Sequence, residues 1–129
     1  MRNTLARSES LKSHKLIRLL FESGKSAFSY PFKMVYQEIE TEDKTPVLYM
    51  ISVSKRKIKT AVGRNHIKRL FREAYRKNKH PLFEKMESNN KKWALAFIYV
   101  GEKDMEYAHM EEKVKNALQL LISKLTNKK

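Results

Sequence analysis

The segment WALAFIYV, residues 93–100, is an uninterrupted apolar run, and it constrains the fold more than any other part of the chain. Its side chains are apolar at odd and even positions alike, so a strand built from it presents apolar groups on both faces of a sheet. The run is also much too short for a helix that crosses a bilayer. It therefore predicts a central strand that other elements cover on both sides.

Two further segments have the composition of strands. Residues 32–39 (FKMVYQEI), which follow Pro31, and residues 47–54 (VLYMISVS) are rich in β-branched and aromatic side chains. The polar sequence TEDKTP between them is typical of a turn. The two segments are therefore predicted to form a hairpin.

Helical patterns lie on either side of these strands. Residues 13–23 carry apolar side chains at helical spacing, with Ser13 as a candidate N-cap and Gly24 at the position of a C-terminal glycine. Residues 106–125 have a similar apolar stripe. Residues 82–92 are predicted to be a polar connection with room for one helical turn.

The order of helix, strands, helix, strand and helix indicates one small α+β domain. A chain of 129 residues with 41% apolar side chains suits a single hydrophobic core. The domain is expected to span residues 1–129, with flexible tails at residues 1–10 and 126–129. Cysteine is absent, which excludes disulfides and thiolate metal sites and fits a cytoplasmic protein.

The positive charge of the chain is concentrated in one segment. Lys and Arg number 28 against 14 Asp and Glu, a formal net charge of +14. Between residues 55 and 79 there are eleven basic residues, and Glu73 is the only acid. Such a density favours a polyanionic partner, and nucleic acid is the leading candidate because binding releases its counterions. A solvated basic face without a partner is the alternative.

Within that segment, residues 61–79 combine the charge with a helical apolar stripe. Thr60 is a candidate N-cap and Pro81 a stop signal. One side of the projected helix carries Ile67, Leu70, Phe71, Ala74 and Tyr75. An opposite arc of roughly 140° carries Arg64, Asn65, Lys68, Arg69, Arg72 and Arg76. The pattern predicts a helix that packs by one face and offers its cations on the other, with an ordinary amphipathic surface helix as the alternative.

Residues 52–76, SVSKRKIKTAVGRNHIKRLFREAYR, resemble the signature of the protein component of bacterial ribonuclease P. Residues 11–26, LKSHKLIRLLFESGKS, resemble the first helix of that family, which ends in a phenylalanine and a glycine, here Phe21 and Gly24. The resemblance implies an αβββαβα order with a sheet flanked by helices, a fold like domain 2 of ribosomal protein S5. It also implies that the basic helix is a left-handed crossover between parallel strands.

The resemblance further implies a function in which an RNA performs the chemistry. In that family the RNA subunit, with Mg²⁺, hydrolyses the phosphodiester that joins the 5′ leader to precursor tRNA. The protein binds this RNA through the basic helix and holds the leader in a cleft between the first helix and the sheet. The expected partners are the catalytic RNA and the leader, without DNA or membrane, and this chain is expected to supply no catalytic residue, metal site or cofactor.

Two groups of residues become candidates for these contacts. The RNA-binding candidates are Lys55, Arg56, Arg64, Asn65, His66, Lys68, Arg69, Arg72 and Arg76. The leader-cleft candidates are Phe21, Ile17, Lys33, Val35 and Tyr36.

Two departures from the family pattern and one alternative register accompany these assignments. His66 stands where the family usually has an arginine, so one phosphate contact is weakened or becomes pH-dependent. Ile17 stands where many members have an aromatic residue. A one-residue slip of the strand would replace Lys33 and Val35 by Met34 and Tyr36 at the cleft.

Other functions remain as rival interpretations. A protein that binds other structured RNA, such as ribosomal RNA, would have no need of the paired N-terminal and central motifs. A DNA-binding regulator with its basic helix in a major groove is disfavoured by the strand that follows the helix. The histidines lie far apart without metal-ligand spacing, and the adjacent Glu111 and Glu112 point apart on a helix. These features disfavour a self-contained active site.

Overall fold

The computed structural model describes residues 10–40, 45–88 and 91–126. The helices are α1 (His14–Ser23), α2 (Ala61–Asn78), α3 (His80–Ser88) and α4 (Tyr107–Thr126). The strands are β1 (Lys25–Ser29), β2 (Phe32–Ile39), β3 (Val47–Val53) and β4 (Lys92–Tyr99). Together they form the predicted single α+β domain, with one helix more than the predicted order.

The additional helix, α3, replaces the polar connection predicted after the basic helix, so that prediction was wrong. Pro81 occupies its first turn, where the missing backbone N–H breaks no helical hydrogen bond. Leu82, Phe83 and Met86 recur at helical spacing and are buried against the core. These three apolar contacts stabilise a segment whose sequence is otherwise polar.

The sheet has the order β1-β2-β4-β3. β4 lies between β2, which it pairs with antiparallel, and β3, which it pairs with in parallel. The predicted hairpin of β2 with β3 is therefore wrong: β2 forms its hairpin with β1. The central position of β4 is confirmed, and it follows from apolar side chains on both faces, which only a doubly covered strand can bury.

β3 and β4 are joined through α2 and α3, which confirms the expected crossover between parallel strands. The left-handed sense of this crossover stays a prediction.

The two faces of the sheet are covered by different helices. One face packs against α2, α3 and α4, and Leu95 and Phe97 of β4 belong to that cluster. The other face packs against α1, and Ala94 and Ala96 of β4 belong to the second cluster. The small alanine side chains leave room for α1 to lie close to the sheet, so β4 contributes large residues to one layer and small residues to the other.

Gly24 also serves the close packing of α1. Its φ of −71° is not the left-handed conformation of a helix-ending glycine. A Cβ at this position would meet Leu20 O and lie 2.8 Å from Val35 Cγ1 and 3.1 Å from Tyr36 O. Glycine is required here because the end of α1 approaches β2 closely.

The described residues nearest to the two chain ends belong to the fold. Leu11 N donates to Tyr49 O at 2.7 Å, and Ser10 forms a parallel bridge with Tyr49. Thr126 is the last residue of α4. The rest of both predicted tails, and residues 41–44 of the predicted TEDKTP turn, lie outside the described residues. Within the ranges described above, none of the helices has the length and apolar character that crossing a membrane requires.

Candidate nucleic-acid interface

α2 is fixed to the core by the apolar face that the sequence predicts. Ile67, Phe71 and Tyr75 are fully buried, and Leu70 is partly buried against the same cluster. The Phe71 ring lies 4.8 Å from the Phe97 ring, centroid to centroid. Burying each such side chain contributes about 1.5–3 kcal/mol, whereas like charges at i,i+4 on a helix surface cost about 0.2–0.5 kcal/mol per pair. Packing therefore outweighs the repulsion among the cations on the opposite face.

The first turn of α2 is held by its predicted cap. Thr60 Oγ1 accepts a hydrogen bond from Gly63 N at 3.0 Å. This bond satisfies one of the backbone donors that a helix N-terminus leaves unpaired. It also fixes the turn from which Arg64 and Asn65 project.

The nine candidate RNA-binding residues lie on the outward side of this segment. The exposed members are Lys55, Arg56, Asn65, Arg69 and Arg72. The half-buried members are Arg64, His66, Lys68 and Arg76. No ion pair joins Lys68, Arg69 or Arg72 to any acid within the described ranges. These three cations are therefore available to an anionic partner.

Arg64 differs from its neighbours because part of its guanidinium is used internally. Arg64 Nη1 donates to Ile58 O at 2.9 Å, in a partly buried hydrogen bond. A guanidinium has five N–H donors, so four are left for other partners. Arg64 thus connects the loop before α2 to the helix while keeping its positive charge at the surface.

His66 contacts an acid on another segment. Its Nδ1 lies at hydrogen-bonding distance from an Asp104 carboxylate oxygen. Lys57 Nζ forms a second link, at 3.2 Å from Glu102 Oε2. Both acids belong to residues 100–106, the loop between β4 and α4. This β4–α4 loop therefore places two carboxylates beside the beginning of the basic helix and pairs them with His66 and Lys57.

The C-terminal half of α2 carries a small basic pocket. Arg69, Arg72, Glu73 and Arg76 line an open pocket of about 230 Å³. Glu73 Oε1 accepts from Arg76 Nε at 2.7 Å and also contacts Arg76 Nη2. Three guanidinium groups around one concavity match the geometry of phosphate oxygens.

The leader-cleft candidates separate between the two faces of the sheet. Lys33 is exposed and Val35 is 7% exposed on the α1 face, where Ile17 is half-buried beside the same cluster. Phe21, on α1, is 49% exposed. These four residues belong to one side of the molecule.

Tyr36 lies on the opposite face, so its assignment to the cleft was wrong. It is 7% exposed in the cluster that packs against α2 and α4, and its ring centroid lies 6.2 Å from that of Trp93. The alternating side chains of β2 carry Met34 to the same side. The register with Lys33 and Val35 towards α1 is therefore correct.

Sequence reasoning missed two exposed aromatic residues, Phe28 and Tyr30. Each is 58% exposed, and their ring centroids lie 6.4 Å apart. Phe28 pairs directly with Lys33 across the β1–β2 hairpin. The available signal was the alternation in SAFSY, which places two aromatic side chains two residues apart in a strand.

Tyr99 is a buried phenol beside the β4–α4 loop. Tyr99 OH donates to Lys103 O at 2.6 Å. Burial, followed by the charges of Asp104 and Tyr30, raises the pKa of Tyr99 to about 12. Across the part of the chain that the structure describes, no group of three or more His, Asp or Glu side chains is arranged to hold a metal ion.

Comparison with solved structures defines the class of fold. A ribonuclease P protein from Thermotoga maritima aligns with a TM-score of 0.66 at 24% identity, covering 87% of this chain and 96% of that one. A Staphylococcus aureus RNase P protein aligns with a TM-score of 0.63 at 21% identity, covering 88% and 94%. The α+β architecture of this chain is thus the fold of ribonuclease P proteins.

Sequence comparison identifies the family itself. The Ribonuclease P family model matches residues 5–122. The ribonuclease P protein component of Porphyromonas gingivalis strain ATCC 33277 is 32% identical over 114 residues, or 88% of this chain and 83% of that protein. That of Chlorobium phaeobacteroides is 36% identical over 107 residues, or 77% and 73%. This chain belongs to the ribonuclease P protein family.

Proposed function

We propose that this chain is the protein subunit of a ribonuclease P and that the outward face of α2 binds the catalytic RNA. The single observation that carries the proposal is the arrangement of α2 itself. Its inner side is fully buried at Ile67, Phe71 and Tyr75, while Arg69 and Arg72 are exposed on its outer side. A rigid row of cations on a packed helix suits a folded RNA backbone, whose phosphates have fixed positions.

The reaction proposed for the complex is hydrolysis of the phosphodiester that joins the 5′ leader to precursor tRNA. The RNA subunit, with its Mg²⁺, supplies that chemistry. The role of this chain is to bind and position the two RNAs, because its basic segment carries eleven Lys and Arg residues and only one acid, Glu73. Placing this charge between two RNAs reduces the repulsion between their phosphates.

The face of the sheet beside α1 is the proposed site for the leader. Lys33 offers a cation there, and Phe21 an exposed ring on which a base can stack. Val35 belongs to the core cluster under α1, and Ile17 packs against that cluster. This surface combines a charge for phosphates with apolar groups for bases, as single-stranded RNA requires.

The proposal is tested by reconstitution. The purified chain is added to a bacterial ribonuclease P RNA at a Mg²⁺ concentration too low for the RNA alone, and cleavage of precursor tRNA is followed. We expect cleavage at the mature 5′ end with the wild-type chain and a strong loss with the Arg69→Gln, Arg72→Gln double variant. Equal binding to duplex DNA and to the RNA, or no restored cleavage, would contradict the proposal.

The leader site is tested separately with Phe21→Ala. This variant is expected to lose affinity for precursor tRNA by about 5- to 150-fold, the range of one base–aromatic stack, while affinity for mature tRNA stays unchanged. Leu19→Ala serves as the matched control, because Leu19 is also exposed on α1 but is not a cleft candidate. Equal losses for precursor and mature tRNA would rule out a leader site at Phe21.

A further inference from the structure

Phe28 and Tyr30 form an exposed aromatic pair at the edge of the sheet. They are the most exposed aromatic residues in the described part of the chain, at 58% each, while Phe32, two residues further on, is fully buried. Their rings are tilted by 55° with centroids 6.4 Å apart, so both are close enough to act on one ligand. Exposed aromatic side chains of this size mark binding surfaces more often than isolated aliphatic ones do.

The strand register places Phe28 on the proposed leader face. Phe28 pairs with Lys33, and Ser26 pairs with Val35, across the antiparallel β1–β2 ladder. Residues directly opposite each other in such a ladder project to the same side of the sheet. Val35 is covered there by α1, whereas Lys33 and Phe28 are exposed. The aromatic pair therefore lies next to the part of this face that α1 covers.

Tyr30 extends this surface towards the basic helix. Pro31, the next residue in the chain, accepts a hydrogen bond through its O from Val100 N at 2.8 Å, at the start of the β4–α4 loop that also contains Asp104. Asp104 in turn contacts His66, in the first half of α2. Tyr30 thus lies next to the β4–α4 loop, which contacts the first half of α2.

The charge around the pair selects one kind of ligand. Phe28 lies directly opposite Lys33, whose exposed side chain projects from the same face of the sheet. Aromatic rings beside a cation are a combination that binds single-stranded nucleic acid, because bases stack on the rings and a phosphate pairs with the cation. An apolar protein partner would have no need of this lysine.

We propose that Phe28 and Tyr30, together with Lys33, form a stacking platform for single-stranded RNA that continues the leader cleft beyond α1 towards the start of α2. This inference rests on the proposed function, and it assigns leader nucleotides beyond those next to Phe21 to the platform. Any base can stack on an aromatic ring, so the affinity that the platform contributes depends on the length of the leader and not on its sequence.

The test uses the reconstituted holoenzyme and precursor tRNAs whose leaders lengthen from about two to about ten nucleotides, enough to span one single-strand site. Wild-type affinity is expected to rise with leader length. Phe28→Ala and Tyr30→Ala are each expected to reduce affinity for the long leader by about 5- to 150-fold and to leave affinity for the shortest leader and for mature tRNA unchanged. The matched controls Phe28→Tyr and Tyr30→Phe retain a ring and should retain the length dependence.

A second measurement needs neither the RNA subunit nor catalysis. Binding of the chain alone to a single-stranded RNA that contains 2-aminopurine is followed by the fluorescence change that accompanies stacking. The two alanine variants should reduce this change while their thermal unfolding stays like that of the wild type, because both side chains are largely exposed. Alanine variants with unchanged fluorescence and unchanged length dependence would overturn the platform.

The outcomes separate this inference from the function on which it rests. If the wild-type chain supports leader cleavage but the alanine variants keep the full length dependence, the platform is wrong and the proposed function stands. If the wild-type chain supports no cleavage, the proposed function fails whatever the variants do. If Phe28→Ala changes self-association in sedimentation rather than RNA affinity, the surface binds a second copy of the chain and the platform is wrong.

Discussion

Glu73 Oε1 accepts a hydrogen bond from Arg76 Nε at 2.7 Å, one helical turn further along α2. The one acid between residues 55 and 79 is thereby paired with a cation of its own helix, at the rim of the pocket that Arg69 and Arg72 also line. Both partners are partly exposed, so the pair contributes only about 0.3–0.5 kcal/mol to stability. Its larger effect is electrostatic: the carboxylate makes the potential inside the pocket less positive, and therefore less attractive to a phosphate.

Glu73→Gln is expected to strengthen binding to the catalytic RNA. The substitution removes the negative charge from the pocket and the ion pair with Arg76, whose guanidinium can then contact a phosphate. The slope of log affinity against log salt should steepen by about one, the effect of one additional contact. Titration of labelled RNA at several salt concentrations measures this. Weaker binding would show instead that Arg76 needs Glu73 to hold its orientation.

Arg64 should behave differently from Arg69 and Arg72, although all three are candidates for RNA contact. Arg64→Gln removes the hydrogen bond to Ile58 O and should lower the free energy of unfolding by about 1 kcal/mol. The exposed Arg69 and Arg72 should change it by less than about 0.5 kcal/mol when replaced by Gln. Urea unfolding measures the stabilities, and the RNA-binding salt slope should fall by about one for each lost contact. Equal stability losses for the three would contradict the internal role of Arg64.

Gly24→Ala is expected to destabilise the fold by about 1–3 kcal/mol, as overpacking does. The added Cβ would meet the backbone oxygens of Leu20 and Tyr36, which cannot move without shifting α1 from β2. Ser23→Ala is the matched control, because Ser23 is exposed at the end of the same helix. Chemical unfolding of the three proteins tests the expectation, and identical midpoints would disprove the close approach at Gly24.

The pKa of Tyr99 predicts a loss of stability in alkaline solution. The pKa of the phenol is about 10 in the unfolded chain and about 12 in the folded one. Between these values the unfolded chain has released the proton that the folded chain keeps, so rising pH favours unfolding. The contribution of Tyr99 to the free energy of unfolding is complete below the pKa of the unfolded chain. It is lost as the pH rises through the pKa of the folded chain.

Comparison with Tyr99→Phe isolates this effect, because the lysines titrate alike in both proteins. The stability advantage of the wild type over the variant should shrink as the pH is raised through that window. Absorbance titration should also show a late-ionising phenol in the wild type that is missing from Tyr99→Phe. A constant difference in unfolding free energy across the window would contradict the raised pKa.

Local patterns predicted the parts of the molecule that repeat along the chain. The apolar stripe through Ile67 and Phe71 and the caps Ser13 and Thr60 are confirmed by burial and by hydrogen bonds. A helix repeats every 3.6 residues and its cap is a bond within one turn, so a few neighbouring residues specify both. The outward position of Arg69 and Arg72 follows from the same projection.

The same reasoning failed where the apolar pattern was compatible with two different structures. Met34, Val35 and Tyr36 are all buried, so β2 has no polar face to fix its register, and Tyr36 was assigned to the wrong side. The segment that forms α3 was predicted to be a connection because of its charged residues. The burial of Leu82 was therefore not expected.

By itself, the sequence determined a small α+β domain with a doubly covered central strand and a packed basic helix. Only the tertiary structure decided that β4 separates β2 from β3, that Asp104 reaches His66, and that Phe28 stands opposite Lys33. Helical faces and caps depend on residues close together in the chain, whereas strand order and loop contacts join distant residues. Those distant pairings are selected by the packing of the whole core, which no short segment contains.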